Sequence, residues 1–152
     1  MVSNNRLTDD IQQLSIITVA LMIGLVLFAG VVYYLISSAE AVPGTFIDEQ
    51  LDLPLVGGFA LICITMSRFL SNKLIDQVPR ERKQDYNAAF GHYRSAVILR
   101  LALLEGPGLF ACVIAMVTNN HLFLFVTLFL LAMMWLSRPT ATEFWERFDV
   151  RV

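Results

Sequence analysis

Reactive side chains are the first thing this sequence is short of. Among its 152 residues there are two histidines and two cysteines, and only 16% of the chain is charged. No Ser/His/Asp set, His-Glu-x-x-His pair, phosphate-binding Gly-rich loop or pair of carboxylates at one membrane face can be assembled, so an enzymatic role is not expected and no cofactor is implied. No basic run interleaved with aromatics is present, which argues against nucleic acid as a partner. Cys63 and Cys112 lie inside apolar runs with no His or Cys beside them. That excludes a local metal motif and gives no sign of a disulfide; both read as small packing residues.

What the chain has instead is apolar length. Hydrophobic residues make up 57% of it, too many for a soluble domain of this size. Four runs approach the roughly 20 residues that a helix needs to cross a bilayer. They place spans at about 14–36, 54–72, 95–117 and 119–137, and the expectation is one all-α integral membrane domain over 1–152, a four-helix transmembrane bundle. The first run is too long for a signal peptide and has no small-residue cleavage pattern behind it. Thr8-Asp9-Asp10 reads as the start of its helix, a hydroxyl cap followed by acids in the first turn. Ala20 and Gly24 form a small-xxx-small pair that would admit a neighbouring helix. Tyr33 and Tyr34, like Trp135 in the last run, suit the membrane interface.

The basic residues are unevenly spread. The 38–53 and 118–121 connections contain no Lys or Arg, whereas 73–94 holds Lys73, Arg80, Arg82, Lys83 and Arg94, and Arg138, Arg147 and Arg151 follow the last span. By the positive-inside rule both termini are cytoplasmic, in a plasma membrane, the inner membrane if the source is bacterial. Tyr86, Phe90 and Tyr93 recur at helical spacing, so the third helix is expected to begin outside the bilayer as an amphipathic extension over 79–94, lying on headgroups or against a partner. Thr118-Asn119-Asn120-His121 is a tight turn. The run after it is apolar all round except for Thr127, which reads as a peripheral, lipid-surrounded helix. Thr140-Ala141-Thr142-Glu143 matches a capping box for a short surface helix over 141–149, whose aromatics are expected to rest on the membrane.

The chemistry concentrates at Arg100-Leu101-Ala102-Leu103-Leu104-Glu105-Gly106-Pro107-Gly108. Glu105 falls near the middle of the third span. Eleven Val, Ile, Leu and Phe residues between Ser95 and Val117 favour insertion by about 5 kcal/mol, and a charged Glu105 opposes it by about 3. With Arg100 and the Gly-Pro-Gly added, the balance is close to zero, so this helix is expected to pack among others with Glu105 turned inward. Pro107 has no amide hydrogen and leaves the Leu103 carbonyl without its helical donor, and a kink is expected at Gly106-Pro107. Two readings of Glu105 stand. It binds H⁺ or Na⁺ with help from the Leu103 carbonyl, or it is a fixed structural group, with Thr65, Arg68 and Arg100 as the candidate partners.

Residues 96–115, with their carboxylate followed by an apolar Ile-Ala-type run, resemble the carboxylate-bearing helix of the proteolipid rotor subunits of rotary ATPases; that resemblance implies an ion-binding role for Glu105 alone. The first span has only Gly24 and Gly30 where that family has a Gly-rich partner helix. The whole chain is similar to four-helix bacterial membrane proteins carrying an Arg-Leu-Ala-Leu-Leu-Glu-Gly-Pro segment and a Ser-Arg-Pro-Thr after the last span, a likeness that implies no activity. The sequence therefore leads to a small multi-pass subunit, partnered by the lipid bilayer and by itself or a larger complex. The alternative is a proton or Na⁺ carrier.

Overall fold

The computed structural model describes residues 4–38, 51–77 and 86–148. Over these it contains five helices and no strand: α1 Asn4–Ser37, α2 Asp52–Asp76, α3 Tyr86–Thr118, α4 Leu122–Leu136 and α5 Ala141–Arg147. Within α1, Leu7–Ser37 is long and apolar enough to cross a membrane, as are α2 and α3 over their full lengths; α4 and α5, bent by 66° at their junction, count as a fourth only if taken as one span. By itself α4 is 15 residues, about 22 Å of helix against a hydrocarbon core of about 30 Å. These helices mark a membrane protein.

The third helix is the one the others pack on. Its most apolar window is 44% buried, against 17% for α1 and 22% for α2. Leu101, Leu104, Ala111, Cys112, Ile114 and Ala115 are fully enclosed along it. Contacts at known heights fix the directions of the neighbours. The Tyr86 hydroxyl donates to Asp10 Oδ2 at 2.6 Å and Leu25 lies against Gly108, so α1 runs parallel to α3. Tyr33 meets His121 with ring centroids 5.5 Å apart, and Phe59 meets Phe110 at 5.3 Å. Asn72, near the end of α2, accepts from Arg147 Nη1 at 2.9 Å.

Several boundaries differ from those read in the sequence, each for a visible reason. The helix of α1 is already formed at Thr8, because Leu7 is buried in the core and Asp10 is taken by Tyr86 rather than by the helix start. The second helix extends beyond 54–72 at both ends. Asp52 lies in its first turn and Lys73 in its last, the charges that the helix dipole favours there. Pro54 falls within the first turn, where a missing N–H costs nothing. Helix α3 is continuous through Gly106-Pro107-Gly108. Of the expected 79–94 extension, 79–85 lie outside the described residues.

The turn between α3 and α4 is chemically explicit. Asn119 has φ 52°, a left-handed conformation that Asn tolerates, and the Asn120 amide donates to the Ala115 carbonyl at 3.1 Å, the longer bond of a Schellman closure. The Asn120 side-chain oxygen then accepts from the Leu122 amide at 2.9 Å, starting the next helix.

Candidate functional site

Among the described residues, polar groups linking α3 to α4 and α5 collect in two places. At one end of the helices, α5 folds back over the start of α3. Thr140 caps α5, its hydroxyl accepting from the Glu143 amide at 3.2 Å. In a full capping box the Glu side chain would return to the cap residue; here it turns to α3. Arg100 Nη1 donates to Glu143 Oε1 at 3.0 Å, and Nη2 donates to the Ser137 carbonyl oxygen at 2.8 Å and to Glu143 Oε2 at 3.4 Å. The Tyr93 hydroxyl donates to Glu143 Oε2 at 3.2 Å, with the Thr140 carbonyl oxygen 3.4 Å away. Arg100, a candidate partner of Glu105 on sequence grounds, is thus held by Glu143.

Rings seal that end. Phe144 is fully buried and contacts Tyr86, Phe90, Tyr93, Trp145 and Phe148 at centroid distances of 5.3–6.1 Å. One expectation is corrected here. The aromatics of the C-terminal helix do not all rest on the membrane, since Phe144 and Phe148 are enclosed by protein. In the described part of the amphipathic extension, Tyr86–Arg94, the rings of Tyr86, Phe90 and Tyr93 meet Phe144 of α5, while Asn87, Gly91 and Arg94 stay exposed.

The second place is midway along α3, where α4 packs on it. Thr127 is buried where α4 meets α3, donating to the Gly108 carbonyl at 3.2 Å. Its hydroxyl also lies 3.3 Å from Cys112 Sγ. A face of Phe123, Thr127, Leu130 and Met134 is buried on α4, so this helix is anchored on one side and exposes Phe125, Leu128 and Phe129 on the other. The close approach expected of the small residues is made at Gly108, where a Cβ would lie 2.9 Å from Leu25 Cδ2. Ala20 and Gly24 are exposed, with nothing near Gly24.

Glu105 is placed between these regions and engages neither. It is half-buried, with buried Gly108 and Cys112 on one flank and exposed Ala102, Gly106 and Leu109 on the other. Among the described residues no hydrogen bond or ion pair ends on its carboxylate. Thr65 donates to its own helix, to the Leu61 carbonyl at 2.8 Å, and Arg68 is exposed on α2. Leu103 is half-buried on the turn before Glu105, and Pro107, buried inside the helix, cannot donate to its carbonyl. Leu103 and Pro107 each stand two residues from Glu105 on a continuous helix and so face its opposite side. Arg100 is taken by Glu143, and among the described residues neither Thr65 nor Arg68 bonds to Glu105. Among the described residues no cluster of His, Cys, Asp and Glu could hold a metal ion.

Sequence reasoning missed the Tyr93–Arg100–Glu143 network. Its only local signal was the cap at Thr140, which locates the Glu143 backbone and says nothing of where its carboxylate reaches. Compared with protein-family models, with curated proteins and with solved structures, the chain matches none.

Proposed function

We propose that this chain is a four-helix bundle subunit of a membrane assembly, with both termini on the cytoplasmic side of a plasma membrane, and that Glu105 finds its partner across a subunit interface. The observation that carries the reading is the position of Glu105 on the half-exposed flank of the central helix, without a partner among the described residues. An ionisable group at that depth is costly unless a proton, an ion or another polar group meets it. Ala102 and Gly106 flank it with small, exposed positions, and a Cβ on Gly106 would touch nothing. A second helix has room to come close there. No enzymatic chemistry is proposed.

Sedimentation equilibrium in density-matched micelles tests this with wild type, Glu105→Gln and Glu105→Leu. Wild type is expected to associate, and Gln, which still donates and accepts, to retain association. Leu is expected to weaken it about tenfold, the effect of one strong interhelical hydrogen bond in a membrane. A strictly monomeric wild type would sink the subunit reading. The ion-carrier alternative rests on Glu105 itself, half-buried on the central helix and without a polar partner among the described residues. It predicts that dicyclohexylcarbodiimide, which attacks protonated carboxyls in apolar surroundings, labels Glu105 and that Na⁺ suppresses the labelling.

A further inference from the structure

The seam between α1 and α4 is not closed. One cavity of about 230 Å³ is lined by Val19, Met22, Ile23, Val26, Leu27, Trp135 and Arg138. A second, of about 480 Å³, shares Val26 and continues towards Tyr33 and His121. Their walls are almost wholly apolar, and Ile23, Val26 and Leu27 are more than half exposed to what would be lipid.

Arg138 closes one end of this seam, and its bonding is incomplete. Its guanidinium carbon lies 3.2 Å from the Trp135 ring centroid. The ring covers one face of the guanidinium and leaves the N–H edges to bond in their own plane. Nε is buried and has no acceptor, and among the described residues no carboxylate pairs with Arg138. The buried Nε is closed to an incoming group, so an anionic oxygen would meet the Nη edge, where the planar fork suits a phosphate best. Trp135 is a residue of the headgroup level. The smaller cavity, about 230 Å³, has room for part of a hydrocarbon chain and not for a helix about 10 Å across.

We propose that this seam binds one anionic glycerophospholipid, its phosphate on Arg138 and one acyl chain along Val19, Met22, Ile23, Val26 and Leu27. The site is separate from the Glu105 flank and holds whether or not that flank is an interface.

Trp135 is a built-in reporter. The Trp145→Phe protein, which leaves Trp135 as its one tryptophan, is reconstituted in phosphatidylcholine vesicles carrying about one-tenth phosphatidylglycerol. Bromine is placed on the acyl chains of the phosphatidylglycerol or, in parallel, on an equal fraction of the phosphatidylcholine. Brominated phosphatidylglycerol is expected to quench Trp135 about fivefold more strongly per molecule, the enrichment expected of one basic side chain near the surface. Added Arg138→Gln should abolish the difference. Added Ile23→Phe, which fills the groove at a lipid-exposed position and spares the arginine, should reduce it. Equal quenching by the two lipids, a preference that survives Arg138→Gln, or no effect of Ile23→Phe would each overturn the proposal. Loss of the preference to added inorganic phosphate would overturn it too, showing a free-anion site.

Discussion

Breaking the Arg100–Glu143 pair is expected to release the C-terminal helix from α3, and the structure sets the size of the effect. The two side chains are 15% and 24% exposed, so the pair lies between a surface bridge worth about 0–1 kcal/mol and a buried one that costs about 3–5 to break. In Glu143→Ala, Arg100 Nη1 loses its acceptor, Nη2 keeps the Ser137 carbonyl, and Nε, already buried without a partner, stays so. About 2 kcal/mol of destabilisation is expected. Arg100→Met should cost somewhat less, because Glu143 retains the Tyr93 hydroxyl. The double variant, Arg100→Met with Glu143→Ala, strands no charge and should be far less destabilised than the sum of the singles, giving a coupling of about 1.5 kcal/mol. Unfolding in mixed micelles, followed by the fluorescence of Trp145, whose ring is 5.5 Å from Phe144, reads the cycle. A coupling below about 0.5 kcal/mol would refute the reasoning and leave the ring cluster and the Arg147–Asn72 bond to hold α5.

Two further outcomes are expected. Gly108→Val should destabilise by about 1–3 kcal/mol, because its Cβ meets the enclosed Leu25 side chain at 2.9 Å, whereas Gly106→Ala meets nothing and should be neutral or stabilising by up to about 1 kcal/mol; the reverse order in thermal unfolding would contradict the packing of α1 on α3. For orientation, a membrane-impermeant maleimide should label Ser38→Cys in intact cells and Glu146→Cys only after permeabilisation. Both positions are exposed and both natural cysteines are buried, so the opposite pattern would invert the proposed topology.

The apolar runs were legible because a bilayer-crossing helix is written in composition and length alone. Their ends were less so: Leu7 and Asp10 extend α1 through contacts with residues remote in sequence. The cap at Thr140 could be read because it is local. The destination of Glu143 could not, since its partner lies 43 residues away. The burial of Phe144 and Phe148 was hidden for a different reason. Lipid and protein core are equally apolar to a phenylalanine, so hydrophobicity cannot say which of the two an aromatic face will meet. Thr127 stood out as a lone hydroxyl, yet the apolar majority around it favoured a lipid-surrounded helix until its bond to Gly108 fixed the buried face.

Polar groups that the chain does not satisfy itself point to what must surround it. Inside a membrane a hydroxyl or charge without a partner has no water to fall back on. Within its helices the fold meets that demand by bonding back to the preceding turn: Thr18 donates to the Leu14 carbonyl and Ser67 to the Ile64 carbonyl. Between them it pairs Thr127 with Gly108 and Tyr86 with Asp10, and Tyr93 and Arg100 share Glu143. Against that background Glu105 and Arg138 are exceptions of opposite sign. They lie at different depths, one on the flank of the central helix and one at the mouth of the α1–α4 seam. An acid midway along an apolar helix calls for a proton, an ion or, on the proposed reading, a polar group from another subunit. On the proposed reading, the cation stacked on Trp135 at the end of α4 is met by a headgroup. The two residues therefore predict different partners, and substituting one should leave the behaviour of the other unchanged.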